Sequence, residues 1–436
     1  MIMHNKSIES VHARQVYDSR ANPTVEVDIT LSDGTVGRSI VPSGASTGKF
    51  EALELRDGTK SWDGKGVRKA VSNVNQTIAP ALVGMDVYEQ AKIDHLMIEM
   101  DGTYNKGKLG ANAILGCSMA LCHAAANHAN LPLYKYLGGN EANTIPVPMV
   151  QIIGGGAHAA NSIDIQDYLV IPLNAPSFDV GYEMVVNVYN ATKKVFSKMG
   201  KPLSIADEGG FWPTGFTNNE EGLAILTESI SLAGYEPGRD LGIALDIAAS
   251  EFYDEKDQSY FLTLENKRLD RSGMVDMLCS WVSKYPIVSI EDGVSEFDWE
   301  GACMLTERLG KKIQIIGDDL FTTNIERIER GVTMGAANAV LIKMNQIGTI
   351  TETIDAIRYT QKHGWLPVVS ARSGETEDCT IVHLAIATNA GQLKVGSAAR
   401  SERTAKWNET IRIEEQLGKS AYYNAETIFA RACLKL

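Results

Sequence analysis

Short apolar runs that close on charged residues recur from Leu203 to Lys394, and no other feature constrains the fold as tightly. They are Leu203 to Glu208, Ile243 to Asp246, Ile287 to Asp292, Ile313 to Asp319, Val340 to Lys343, Leu366 to Arg372 and Gln392 to Lys394. Runs that are apolar throughout, rather than alternating, suit strands buried on both faces. Their charged ends lie 22 to 45 residues apart, enough for a strand and a returning helix. Amphipathic stretches such as Ile325 to Gly335 and Thr351 to Gly364 fill the gaps. This alternation predicts a parallel sheet covered by helices. No Gly-rich dinucleotide turn follows the first strand, so a closed TIM-type α/β barrel accounts for the pattern better than an open sheet.

The first third reads differently. Pro23 to Leu31 alternates with Val25, Val27, Ile29 and Leu31 on one face, and Asp33-Gly34 turns the chain into Thr35 to Val41. A Gly/Ser-rich loop, Pro42 to Lys49, precedes helical patterns that run from about Gly66 to Leu137. Gly138-Gly139-Asn140, followed by Pro146 and Pro148, marks the boundary. The expected units are an N-terminal α+β domain with a closing loop, 1–138, and an α/β barrel, 139–436.

Net charge is −13, from 41 Lys and Arg against 54 Asp and Glu, which argues against nucleic-acid binding by bulk charge. The opening residues lack a signal-peptide apolar run, and Pro146, Pro148 and Gly154 to Gly156 break the uncharged stretch Ala142 to Ile163, so no membrane helix is expected there. Six scattered cysteines, Cys433 among them, form no CxxC pair and read as reduced thiols. The expected location is the cytoplasm. Gly44 to Lys49 lacks the spacing of a phosphate-binding loop. Leu109 to Asn127, with Cys117, Cys122 and His123, reads as a packed small-residue helix rather than a metal site.

In a barrel, charges at the carboxyl ends of strands converge on one mouth. Glu208, Asp246, Glu291 and Asp318 would repel one another there unless protonated or neutralised by cations. An all-oxygen donor set favours Mg²⁺ or Mn²⁺ over Zn²⁺. Lys343, Arg372 and Lys394 lie on the later strands, so the pocket suits a small polyanion such as a phosphorylated carboxylic acid. A lysine crowded by a second lysine and a metal ion is expected to have a lowered pKa and to serve as a base next to a carboxylate.

Val41-Pro-Ser-Gly-Ala-Ser-Thr-Gly48, Asp207-Glu-Gly-Gly210, Ser289-Ile-Glu-Asp292, Gly317-Asp-Asp-Leu320, Ile342-Lys-Met-Asn-Gln-Ile-Gly348 and Arg372-Ser-Gly-Glu-Thr-Glu-Asp378 follow one another in the order of a known family. From about Ile8 to Tyr422 the chain resembles the enolases (phosphopyruvate hydratases). The resemblance implies a Mg²⁺-dependent lyase of glycolysis that dehydrates 2-phosphoglycerate to phosphoenolpyruvate, on a barrel with irregular first units. It implies Asp246, Glu291 and Asp318 as metal ligands, Lys343 as the base at carbon 2, and Glu208 as the acid for the departing hydroxyl. It further implies Lys394 against the substrate carboxylate, Arg372 and Ser373 on the phosphate, and His158 and Asp167 from a second closing loop. Ser43 would ligate a second Mg²⁺ that arrives with substrate. A homo-oligomer, dimer or octamer, is also implied.

Three positions depart from the family pattern. Ala371 stands where a histidine is usual, Asp167 where a glutamate is usual, and Gly154 where an asparagine is usual. Trp212 follows the Asp-Glu-Gly-Gly motif and could refill space, and His383 could substitute for the missing histidine or simply pack. The alternatives to dehydration of 2-phosphoglycerate are the same elimination on a related phospho-, phosphono- or phosphinate acid, and a non-catalytic binding role. For the latter, Lys435-Leu436 is a weak terminal-lysine signal.

Overall fold

The computed structural model describes residues 6–430. The opening segment read for a signal, Cys433 and the Lys435-Leu436 terminus lie wholly or partly outside that range.

Strands β1 (Ile8–Tyr17), β2 (Pro23–Leu31) and β3 (Val36–Ile40) form an antiparallel meander, β2 central. Asp33 Oδ1 accepts the Thr35 amide at 2.8 Å and fixes the β2–β3 turn. The helix Ala111–His128 lies on this sheet. It is rich in Ala, with Gly, Cys and Ser among its small residues, and it is buried from Ala111 through Cys122. Its small residues admit a very close approach: a Cβ on Gly37 of β3 would lie 2.1 Å from the Ala124 backbone nitrogen. The stretch from Leu109 is therefore a packing surface, as its composition predicts.

Beyond the meander come β4 (Val147–Gly154), β5 (Asp167–Pro172) and β6 (Leu241–Asp246). A small sheet, β7 (Tyr253–Asp254), β8 (Ser259–Leu262) and β9 (Lys267–Asp270), is inserted before β10 (Ile287–Glu291), β11 (Gln314–Gly317), β12 (Ala339–Ile342), β13 (Leu366–Ser370) and β14 (Gln392–Ser397). β10 to β14, then β4, β5 and β6, close an eight-stranded barrel. Its ladders are parallel except that β5 runs antiparallel to both β4 and β6.

Six of the seven apolar runs are barrel strands. Leu203 to Glu208 is not: Ile205 makes an isolated bridge to Phe211, and Leu203 and Ile205 are 43% and 49% exposed. β4 and β5 take the places that this run was expected to supply. Neither carries a charged residue at its carboxyl end, so the pattern of charged run ends passes over them.

Strand parity delivers the site. Val147, Met149, Leu169, Ile171, Ala244, Ile316, Ala339, Leu341 and Val368 form one inner core cluster, with Phe429 beneath it. Side chains two residues apart share a face. Continuing each inward row by one step leads from Ala244 to Asp246, from Ile316 to Asp318 and from Leu341 to Lys343. Below the mouth, Gln314 bonds Gln392 at 3.1 Å and Ser289 at 3.1 Å across the barrel interior.

Replacing Gly37 with alanine sets a methyl against backbone rather than a movable side chain. This should cost about 3 kcal/mol or more, measured as a fall in the denaturation midpoint with the barrel sequence unchanged.

Candidate active site

The mouth of the barrel encloses a cavity of about 30 Å³, hardly larger than one water, lined among others by His158, Asp167, Glu208, Asp246, Lys343 and Lys394. Lys394 Nζ donates to Asp246 Oδ2 at 2.7 Å and to both Glu291 oxygens at 2.8 Å. Lys343 Nζ is bonded to Asp318. Thus two ammonium groups satisfy the three carboxylates that were expected to share a metal ion.

The charges follow from this pairing. Burial, Asp246 and Asp318 push Glu291 well above the usual carboxylate range against the pull of Lys394 and Lys343. Burial also works against ionisation of Asp318, but Lys343, Lys394 and Arg372 outweigh it and hold that carboxyl low. Desolvation alone would lower both lysines. Asp318 instead raises Lys343, and Asp246 with Glu291 raises Lys394 well above its ordinary value. Here the Asp318 carboxylate holds Lys343 up against burial and the repulsion from Arg372 and Lys394, whereas the lowering expected from the sequence relies on a metal ion beside the lysine.

A second group faces them. His158 sits on a short turn, Gly156–Ala159, with Nδ1 3.0 Å from Asp167 and Nε2 3.6 Å from Glu208. Burial would lower its pKa, but Glu208 and Asp167 raise it to about 9. Gln151 of β4 holds the pair in place, donating to Asp167 Oδ1 at 2.5 Å and accepting the Gly210 amide at 2.9 Å. Glu208 reaches the cavity from a turn, not a strand. Its carbonyl accepts the Ser397 amide at 3.0 Å, and Gly209 takes φ +96° next to it.

The Pro42-to-Lys49 loop lies across the mouth. Ser43 pairs with Gly374 through backbone bonds of 2.8 Å in both directions. Its hydroxyl donates to Glu54 at 3.0 Å and accepts Arg56 at 2.8 Å, so it stands apart from the cavity; Ser46 lines it instead. Arg372 bonds Glu51 at 2.9 Å, Asn345 Oδ1 at 2.9 Å and the Ser46 carbonyl at 3.0 Å. Ser373 Oγ accepts the Ala45 amide at 2.7 Å.

Sequence reasoning missed Gln151, Glu51 and Ser46. Glu51 and Ser46 sit in or next to a segment already singled out, whereas Gln151 carried no signal beyond being a polar residue in an apolar stretch. Gln166, the neighbour of Asp167, bonds Asp246 at 3.2 Å. Ala371 lines the cavity. His383 does not: it lies 3.5 Å from Glu409 and stacks on Tyr134 with ring centroids 6.2 Å apart. Trp212 is likewise absent from the lining.

The donors at the mouth fit a hard divalent cation, because Asp246, Glu291 and Asp318 already attract ammonium groups to that place. The groups among the described residues that bring three candidate ligand atoms close together are His158, Asp167 and Glu208, and Asp292, Asp318 and Asp319; the expected trio Asp246, Glu291 and Asp318 is not one of them, its oxygens being turned to the two lysines. In the second, burial and the neighbouring carboxylates push Asp292 up to about 8 and Asp319 well above its usual range, so protonation relieves their repulsion.

A barrel that gathers carboxylates, two lysines and an arginine under a loop suits metal-assisted chemistry on a small acid. Family comparison makes this specific. The model described as "Enolase, N-terminal domain" matches residues 8–137, and "Enolase, C-terminal TIM barrel domain" matches residues 142–432. Enolase 1 of Desulfitobacterium hafniense (strain Y51) is 71% identical over 430 residues, 99% of this chain and 98% of that protein. The chain belongs to the enolase family. It is an enolase-type carbon–oxygen lyase with a Mg²⁺ requirement and a small phosphorylated substrate.

Because the folded pKa of His158 lies above its ordinary 6.5, the stability it contributes is complete below pH 6.5 and is lost as pH rises through about 9. The stability difference between wild type and His158→Gln should shrink over that interval in denaturant titrations. In ring-nitrogen NMR the imidazole should remain cationic at pH 7.5; a neutral ring there would refute the charge assignment.

Proposed function

We propose that this chain dehydrates 2-phosphoglycerate to phosphoenolpyruvate, with Lys343 and Glu208 as catalytic residues on opposite sides of the bound acid. The observation that carries this reading is the arrangement of Lys343 and Lys394 among three buried carboxylates, facing the His158–Glu208 pair. Lys343 Nζ, once free of Asp318 and after giving up its own proton to solvent, takes the proton from carbon 2 as a neutral amine. Glu208, backed by cationic His158 and by Asp167, delivers a proton to the 3-hydroxyl as it leaves as water. Arg372 and Ser373 hold the phosphate, and Lys394 turns from Asp246 and Glu291 to the substrate carboxylate.

Asp246, Glu291 and Asp318 would hold Mg²⁺, which supplies positive charge for the developing enolate. A second ion, arriving with substrate, fits the hydroxyl-bearing loop; Ser46 faces the cavity and Ser43 anchors the loop, which favours Ser46 over Ser43 as its ligand. Because Lys343, Lys394 and Arg372 are each paired with a carboxylate at the mouth, binding exchanges these partners for substrate groups.

The reading extends to the whole molecule. The division at Gly138-Gly139, a homo-oligomeric state and a cytoplasmic location belong to it. The gap between the two family matches supports the first, and family membership supports the others. Among the described residues no helix is long and apolar enough to cross a membrane. Ala371 on the cavity wall is the observation that would favour a related phosphono- or phosphinate acid instead.

Purified protein with Mg²⁺ should convert 2-phosphoglycerate to phosphoenolpyruvate, and Lys343→Ala should lower kcat by about 10²–10⁴-fold. Equal rates for the two proteins would overturn the reading. Ala371→His should raise turnover if 2-phosphoglycerate is the native substrate, and lower it if the wall is shaped for another acid. Lys394→Met removes the cation between Asp246 and Glu291. It should therefore lower the Tm in chelator and enlarge the gain in Tm on adding Mg²⁺.

A further inference from the structure

Where the Pro42-to-Lys49 loop leaves the cavity, Phe50 meets a cluster on the barrel rim that takes no part in the proposed chemistry. The Arg327 guanidinium lies 3.7 Å from the centroid of the Phe50 ring and 5.4 Å from that of Trp299. Its Nε donates to the Leu320 carbonyl at 2.8 Å, while Nη2 is buried without a hydrogen-bond partner. This half-buried guanidinium is compensated by the nearby Glu296 carboxylate and by the aromatic faces it lies against. Beside it, the Lys49 amide donates to Glu296 at 3.1 Å, Lys49 Nζ lies 5.0 Å from the Phe297 ring centroid, and the Phe50 and Phe297 rings are 6.3 Å apart. Gly48 permits this approach: a Cβ there would stand 2.9 Å from both Asp319 Oδ1 and Thr322 Cγ2.

We propose that Phe50 and Arg327 form a latch that holds the loop shut over the active site, and that they are positioning residues for substrate retention. The reasoning is mechanical. Phe50 is one residue from Glu51, which bonds Arg372, and four from Ser46, whose carbonyl also bonds Arg372. In the proposed function those inner contacts turn to substrate during binding; the Ser43–Gly374 backbone pair ties down the loop's near end, and its far end, at Phe50, is left to a separate anchor. The contact between Phe50 and Arg327 lies outside the cavity and survives that exchange. A ring stacked on a cation slides and reforms more readily than a bidentate ion pair breaks, which suits a closure that must open every turnover.

The proposal rests on the reading that this loop covers the substrate, and hydrogen exchange on the metal-free full-length protein tests it without substrate. In Phe50→Ala, amides between Gly44 and Ala52 should exchange about 10-fold faster, while those of β12 and β14 keep their rates. Phe50→Tyr should retain protection. Arg327→Met should match Phe50→Ala, and the double variant should add nothing. In turnover with 2-phosphoglycerate and Mg²⁺, Phe50→Ala should raise KM about 5-fold with kcat changed less than 2-fold. Unaltered loop exchange in Phe50→Ala, or an acceleration spread equally through the barrel strands, would overturn the latch. Faster loop exchange in a protein that does not turn over 2-phosphoglycerate would uphold the latch and reject the substrate.

Discussion

Three buried carboxylates at one barrel mouth need positive charge, and the rest of the site is arranged around that need. Asp246, Glu291 and Asp318 come from three neighbouring strands that fix their spacing. Like charges in a dry cavity disfavour the compact state unless cations pair with them. Lys394 and Lys343 do so here, and the same pairing leaves each lysine strongly protonated. The lysines thus act as internal counter-ions that must give way for binding. The energetic consequence is that substrate and metal affinities include the cost of separating good ion pairs, which limits how tightly either binds alone.

The barrel interior and the chemistry share one periodicity. Rows that pack apolar side chains in the core end, two residues further on, in the groups that act. A one-residue slip in β6, β11 or β12 would turn Asp246, Asp318 or Lys343 outward and drive the next residue into the cavity. Function is thereby tied to strand register, and register is held by the apolar rows beneath.

This coupling explains what the sequence made legible. Charges ending apolar runs identified six strands and Asp246, Glu291, Asp318, Lys343, Arg372 and Lys394 together, because one physical rule places both. Glu208 was legible as a residue but not as a strand end. It belongs to a turn fixed by Gly209 and by long-range bonds to β14 and Gln151, none of which leaves a local pattern. β4 and β5 escaped for the opposite reason: they are buried throughout and end without charge. The choice between Ser43 and Ser46 depends on which hydroxyl the loop turns inward, and two serines three residues apart carry no sequence signal for that. Ala371 and Asp167 were recognised only against a family pattern.

The histidine side of the cavity is best understood through its own charge balance. Replacing glutamate by Asp167 shortens the side chain, yet Asp167 still reaches His158 at 3.0 Å because β4 and β5 run antiparallel and bring Gln151 against it. His158 thereby carries positive charge between two carboxylates, Asp167 behind and Glu208 in front. His158 itself retains its proton, because the two carboxylates hold its pKa up. Under the proposed function these two groups share the delivery of a proton to the departing hydroxyl, a role that a histidine at position 371 would assist in the family pattern. Ala371 on the cavity wall offers no such partner, so in that reading the departure of the hydroxyl falls to His158 and Glu208 while proton abstraction falls to Lys343.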